Sequence, residues 1–437
     1  MKIRGFRYGL SSCVAAVSLA GCSASQSQPP IGAPGAMPAI ARDASSYRVV
    51  HRFGCDHGAA YPVASLLDVN GTLYGTTPGT EDICPRKDSG LGTVFTISPS
   101  GTIKELYHFK GGSDGAGPSP GALIDVNGTL YGTTASGGGT GCESGRGCGT
   151  VYSLSPSGAE TVIYSFKGGS DDGALPYGLV ELNGTLYGTT VLGGPSPPYC
   201  NITGESPGCG TVFSVTPSGS EKVLHFFENN PDGANPQSAL TAVNGTLYGI
   251  TYDGGGPKCT GESCPEGSGT VYSITTSGSE KVVHSFKYDE GPFPTGGLLD
   301  VGGTLYGTTG GTFSPCCGTV YQLSTSGVFK VLYRFQGAPD GAFPLGSLIS
   351  ENGALYGTTQ EGGVDCVPYS HGCGTIFSVT TSGQESVLHS FSGGNPNGRI
   401  PLAGLAYLNG TFYGTTALGG RSLCGSDGCG IIYTFSQ

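Results

Sequence analysis

The chain has 437 residues, of which 81 are Gly and 29 are Pro; only 12% are charged and none is Trp. So much glycine with so few charges excludes a helical bundle, a coiled coil and a highly charged disordered chain. The net charge of −11 and a pI near 5.0 argue against nucleic acid as a partner, since that needs a basic surface.

The N-terminus reads as a targeting signal. Lys2, Arg4 and Arg7 precede a small, apolar, uncharged run from Tyr8 to Ala20. That run is too short to span a bilayer and has the length of a signal-peptide core. It ends in Leu19-Ala20-Gly21-Cys22, which resembles a bacterial lipobox. The resemblance implies cleavage of residues 1–21 and diacylation of the Cys22 thiol. Ser23 rather than Asp then implies transfer to the outer membrane. The alternative is an ordinary secretory signal with an incidental cysteine. Residues 22–46, rich in Ser, Pro and Ala, read as the acylated cysteine and a flexible tether leading into one domain over 47–437.

Seven repeats fill that domain. Asn-Gly-Thr-Leu-Tyr-Gly-Thr-Thr stands at 70–77, 127–134 and 183–190, with variants from Asn244, Gly302, Asn352 and Asn409. Each repeat predicts four short strands. The first is apolar, follows a Pro and is exemplified by Ala64–Val69 and Gly178–Leu182. An Asn-Gly pair, the signature of a type I′ hairpin, turns the chain into the Leu-Tyr-Gly-Thr-Thr strand. After a long loop bearing Gly and Cys comes the third strand, as at 149–154 and 210–215. A tight Ser-Gly turn leads to the fourth, such as Lys222–Phe227. No stretch of ten residues has helical periodicity.

Four antiparallel strands repeated seven times predict an all-β, seven-bladed β-propeller. A β-solenoid is the rival architecture. The ends favour closure: the chain stops after a third strand, Gly430–Phe435, and begins with an isolated fourth strand, Tyr47–Phe53. Together these make up one blade.

The Leu-Tyr-Gly-Thr-Thr, Gly-Thr-Val-Phe/Tyr-Ser and fourth-strand motifs resemble those of the GloVer (Gloeo/Verruco) tandem-repeat family of bacterial surface proteins, over about 47–437. The family implies no established activity and carries over no catalytic residue. The strand order is also similar to that of NHL-repeat and metal-lactonase propellers. That similarity implies that the first strand of each blade lines the central channel.

Besides Cys13 and Cys22, fourteen cysteines remain. Twelve form close pairs in the loops between second and third strands: Cys142/Cys148, Cys200/Cys209, Cys259/Cys264, Cys316/Cys317, Cys366/Cys373 and Cys424/Cys429. Cys84 stands alone in the first such loop, and Cys55 precedes it on the same face. An even count in an exported chain predicts seven disulfides, Cys55–Cys84 included. The rival, metal, lacks both Cys-x2-Cys spacing and a recurring His. The adjacent pair Cys316/Cys317 would be strained.

Asn-Gly-Thr matches a glycosylation sequon but recurs as the hairpin turn. Gly111-Gly112-Ser113-Asp114-Gly115 matches a nucleophile elbow, yet it lies between strands rather than before a helix. Asp114, Asp172, Asp232 and Asp340 precede Gly at matching loop positions; they read as turn residues and are the binding-face candidates. His225, His284 and His389 share a fourth-strand position with Tyr164 and Tyr333, an interchange that points to packing. Tyr74, Tyr131, Tyr187, Tyr248, Tyr306, Tyr356 and Tyr413 read as inter-blade core. Asp68, Asp125, Glu181 and Asp300 fall beside the hairpin turns, on the face opposite the long loops, which weighs against a metal-lactonase site.

The expectation is therefore a monomeric, exported protein, lipid-anchored at the outer membrane or cell surface, without catalytic residues, metal or cofactor. It acts as a binding or scaffolding protein for an extracellular glycan or protein, through the loop-rich face. The alternatives are a polysaccharide hydrolase or lyase working at the channel mouth, and a structural envelope protein.

Overall fold

In the computed structural model the described residues are 46–54, 60–79, 90–98, 100–142, 145–195, 200, 208–256, 267–311, 317–364, 366, 371–393, 397–420, 424 and 427–436. The signal and tether, with Cys22, lie outside them, as do Cys55, Cys84, Cys259, Cys264 and Cys316.

The domain is an all-β seven-bladed propeller, as expected, and each blade is an antiparallel four-stranded sheet. Blade I comprises Leu67–Val69, Thr72–Thr77, Thr93–Ile97 and Ile103–His108. Blades II to VI repeat it, with second strands at Thr129–Ser136, Thr185–Gly193, Thr246–Thr251, Thr304–Thr309 and Ala354–Thr359. Blade VII takes Ala406–Leu408, Thr411–Thr416 and Ile431–Phe435 from the C-terminal end and Arg48–Arg52 from the N-terminal end. Arg52 pairs with Ile431 and Arg48 with Thr434, so the offset termini close the ring. The first strands of neighbouring blades touch around the centre, those of VII and I included.

Every hairpin after a first strand has the predicted geometry. Asn70 and Gly71 lie at φ 52° and 83°, and Asn127, Asn183, Asn244, Asn352 and Asn409 repeat this with φ between 49° and 54°. The acids beside the turns cap them: Asp68, Asp125, Glu181 and Asp300 accept the N–H of Gly71, Gly128, Gly184 and Gly303.

The first strands do not start where the sequence predicts: blade I starts later and blade III earlier. In blade I the ladder starts at Leu67 rather than Ala64. Blade III shows the reason. There Gly173–Leu182 runs alongside the second strand, but the register breaks between Pro176 and Leu179. Proline has no N–H to offer a ladder, and the residue before it, Leu175, has a left-handed φ of 57°.

The core lies in the seams between blades. One cluster joins Tyr187 and Val212 of blade III to Leu240, Leu247 and Tyr272 of blade IV. As expected of inter-blade core, Tyr131, Tyr187, Tyr248, Tyr306, Tyr356 and Tyr413 are buried, while Tyr74 is half-buried. Each fourth strand carries a β-bulge, and the glycine of the next blade's Ser-Gly turn seats against it. A Cβ on Gly158 would come 2.6 Å from the Leu106 carbonyl oxygen; one on Gly101 would come 2.2 Å from that of Val50, across the VII–I seam.

Candidate functional site

The long loops and the loops between blades emerge on one face, where each chain segment turns inward to begin its first strand. The residue just before the Pro is left-handed in every blade: Tyr61, Gly117, Leu175, Asn235, Phe293, Phe343 and Ile400, all with φ between 54° and 63°. Glycine and asparagine tolerate this conformation, but for bulky or β-branched side chains it is strained and must be imposed by the surroundings.

Two backbone hydrogen bonds impose it. The N–H donates to the carbonyl of the residue before the third-strand glycine of the preceding blade. Tyr61 donates to Cys429 (2.8 Å), Leu175 to Cys148 (2.9 Å), Asn235 to Cys209 (2.7 Å), Phe343 to Cys317 (2.7 Å) and Ile400 to Cys373 (3.0 Å). In blades IV to VII the carbonyl of the left-handed residue then accepts from the residue after its own second strand, as from Gln360 to Phe343 (2.9 Å) and from Ala417 to Ile400 (3.0 Å); in blade I that residue is Pro78, which has no N–H to give. The cysteine whose carbonyl accepts is in each case disulfide-bonded. Cys142–Cys148, Cys200–Cys209, Cys366–Cys373 and Cys424–Cys429 are bridged as expected, with Cα–Cα distances of 5.1, 5.0, 5.5 and 5.2 Å. Cys317 is disulfide-bonded as well.

The held side chains are uneven around the ring. Blades V, VI, VII and I present Phe293, Phe343, Ile400 and Tyr61 in turn, all half-buried. Tyr252 stacks on Phe293, with centroids 4.9 Å apart and planes 19° apart. Blades II and IV present Gly117 and Asn235 instead, and the Asn235 amide is spent on the Val191 carbonyl. Blade VII departs further. Arg399 stands where other blades have Ala116, Ala174, Ala234 or Ala342; it is buried and pairs with Asp427. Burial raises the Tyr61 phenol pKa; Asp427 adds to the rise and Arg399 opposes it, which sets this ion pair beside the ring.

The four candidate aspartates are anchored internally. The Tyr107 hydroxyl donates to Asp114, whose other oxygen accepts Lys110 N–H at 2.6 Å. Asp172 accepts from the Tyr164 hydroxyl (2.9 Å) and from the N–H groups of Lys167 (2.8 Å) and Gly173 (2.7 Å). Asp232 bonds His225 Nε2 (3.0 Å) and Glu228 N–H (3.2 Å). Asp340 accepts from the Tyr333 hydroxyl and Gln336 N–H, both at 2.9 Å. The fourth-strand His and Tyr residues thus pack, as the interchange suggested, each edge-on to the Phe two residues later, as with His225 on Phe227 at 4.9 Å. Tyr107, Tyr164, His225, His284 and Tyr333 also tether the loop that follows them. A spacing of seven residues in Tyr107/Asp114, His225/Asp232 and Tyr333/Asp340 was the signal for this pairing. Among the described residues no three His, Cys, Asp or Glu side chains converge as a metal site.

The Gloeobacter/Verrucomicrobia repeat matches at residues 32–198 and again at 199–427. The chain belongs to the Gloeobacter/Verrucomicrobia repeat family. No curated protein matches this family member in sequence. Among solved structures it is similar to the computationally designed Ika8 protein, at 12% identity over 87% of this chain and 98% of that one, with a TM-score of 0.46. It is also similar to a luciferin-regenerating enzyme, at 14% identity over 75% and 92%, with a TM-score of 0.41. A gluconolactonase from Xanthomonas campestris matches at 12% identity over 92% and 93%, also with a TM-score of 0.41. At such distances these likenesses say nothing of activity.

Proposed function

We propose that this repeat protein is an exported, lipid-anchored, non-enzymatic binding propeller that takes an extracellular glycan on the apolar arc at the mouth of its loop face. One observation carries the reading: Phe293, Phe343, Ile400 and Tyr61 are each held in strained backbone by an inter-blade hydrogen bond, and three of the four acceptors are disulfide-bonded cysteines. Strain that recurs at one rim and is locked from outside is a mark of a pre-organised contact surface. Half-buried rings give such a surface large apolar contacts at little cost in side-chain entropy. The anchored aspartates support binding over catalysis, because each already accepts N–H or O–H donors of its own loop and strand, which makes a poor general base. The disulfides fit an extracytoplasmic location, and the lipobox resemblance at Cys22 supplies the anchor.

Glycan-array screening of the protein, with Phe293→Ala and Phe343→Ala beside it, is the test. Saturable binding should weaken at least about tenfold in either variant, as for the central residues of an interface. Turnover of a polysaccharide would overturn the reading in favour of a hydrolase or lyase at the same mouth. Mass spectrometry of the mature N-terminus should find diacylated Cys22; any other N-terminus removes the anchor.

A further inference from the structure

The outer ends of the fourth strands hold a second recurring arrangement, which crosses the seams. The residue four before the fourth-strand His or Tyr lies against the preceding blade across the seam. In four seams that residue is a glutamate: Glu160 faces Asp114, Glu221 faces Asp172, Glu280 faces Asp232 and Glu385 faces Asp340. In two other seams the same position carries an aromatic ring lying flat on the histidine. Phe329 stacks on His284 at 4.1 Å and 5°, and Tyr47 on His389 at 4.0 Å and 10°. In the VII–I seam it is Ile103. One structural position thus alternates between glutamate and neutral, apolar groups, which suits a glutamate that is itself neutral.

The count of hydrogens points the same way. A tyrosine hydroxyl has one hydrogen to give. Tyr107 donates its hydrogen to Asp114, while Glu160 Oε2 sits 3.3 Å from the same hydroxyl. The Oε1 atoms of Glu160, Glu221, Glu280 and Glu385 are buried without a partner. At Glu160, Glu221 and Glu385, two carboxylates around a single tyrosine donor leave one hydrogen missing, and a proton on the glutamate supplies it.

We propose that these four seams are proton-operated latches, in which the glutamate of one blade is a carboxylic acid held against the aspartate of the blade before it, and loss of that proton to solvent loosens the seam. Burial first, then the facing acid, pushes Glu160, Glu221 and Glu385 up to about 7. Burial does the same for Glu280, opposed by His225 and helped by Asp232. The other groups facing them are Tyr107, Lys110 and Tyr152 at Glu160, Tyr164 and Lys167 at Glu221, Tyr272 at Glu280, and Tyr333 at Glu385; the two lysines draw the acids down and do not cancel the rise. A carboxyl whose folded pKa lies above its unfolded value, near 4.3, stabilises the fold fully below that value. The contribution is lost as pH rises to about 7.

Histidines complicate a plain pH scan. Burial lowers His284, and lowers His389 to about 4, so both favour the fold as pH rises toward 6.5, the opposite sign. A difference measurement removes them. The oxidised protein is compared with the fourfold variant Glu160→Gln, Glu221→Gln, Glu280→Gln and Glu385→Gln, whose amides mimic the protonated acids at every pH. The two melting temperatures should agree within about a degree at about pH 3.5, below the unfolded pKa, and at pH 8 the variant should melt on the order of 5 °C higher. A gap that does not change with pH, or a wild type that is the more stable at pH 8, overturns the proposal. Should the fourfold variant misfold, Glu221→Gln and Glu385→Gln alone should each show a smaller gap of the same sign and pH course; no pH-dependent gap in either is equally decisive against it.

Discussion

The glycine in each Leu-Tyr-Gly-Thr-Thr strand has an ordinary strand backbone and is needed for room. A Cβ on Gly188 would meet the Phe213 ring at 2.6 Å and the Gly178 carbonyl oxygen at 2.7 Å; in blade II one on Gly132 would meet the Tyr152 hydroxyl at 2.5 Å. The third-strand ring lies across the second strand wherever the motif occurs, so the strand must be bare at that point. Four of these rings are Tyr152, Tyr272, Tyr321 and Tyr433, whose buried hydroxyls have no partner. The others, Phe95, Phe213 and Phe377, occupy the same place, so the position selects a ring and not a hydroxyl. Gly188→Ala should therefore lower unfolding free energy by roughly 1–3 kcal/mol, the usual penalty of overpacking. Gly184, at φ 79° with open space around it, makes the control: Gly184→Asn should be nearly neutral, because asparagine accepts a left-handed backbone. Urea unfolding measures both. Combining Gly188→Ala with Phe213→Leu should recover part of the loss, and no recovery would mean that the ring is not what excludes the methyl group.

At the scale of the element, the disulfide loops do more than shorten loose chain. The second cysteine of a pair offers its carbonyl to the left-handed residue that starts the next blade, so each bridge fixes a junction between blades. Rings as short as those closed by Cys200–Cys209 and Cys366–Cys373 limit the unfolded chain by about 2–3 kcal/mol each. Upon reduction, the amides of Leu175, Asn235 and Ile400, which donate to those carbonyls, should lose hydrogen-exchange protection before the second and third strands do. Uniform loss across the blade would show that the bridges act on the whole sheet. Cysteine spacing made the pairs legible in the sequence, and Asn-Gly made the hairpins legible, because both are written in residue types with one dominant use. The strained positions were not legible. Tyr61, Leu175, Phe293, Phe343 and Ile400 are residue types that avoid left-handed backbone, and only the hydrogen bonds to the neighbouring blade put them there. The acid seams were hidden for a related reason: Glu160 and Asp114 belong to different repeats, and a reading repeat by repeat does not bring them together.

For the whole molecule, closure is the decisive property, and the phase of the repeats declared it: a fourth strand at one end and three strands at the other fit only a ring. The clasp uses Arg48–Arg52 to cover Ile431–Phe435, a strand whose five residues are all buried. Around it, Tyr47 stacks on His389 of blade VI, Phe53 packs edge-on to Phe95 of blade I at 5.5 Å, and Phe53 N–H bonds the Gly430 carbonyl at 3.0 Å. The short segment 47–53 therefore touches three blades. Without it, the edge of Ile431–Phe435 is bare, and a bare apolar edge pairs with other chains. A chain lacking everything before residue 54 should accumulate as oligomers or aggregate, while keeping much of its β-sheet signal. Adding a peptide of residues 46–54 in trans should restore the monomer in proportion to its concentration, because binding to the folded state alone shifts stability by mass action. A peptide with Phe53→Ala should rescue far less, since it leaves the Phe95 ring uncovered. Size-exclusion chromatography with light scattering distinguishes the outcomes: a truncated chain that is monomeric and melts with the full protein would mean that six complete blades and three strands close the ring unaided, and that the N-terminal strand is an ornament on a finished propeller.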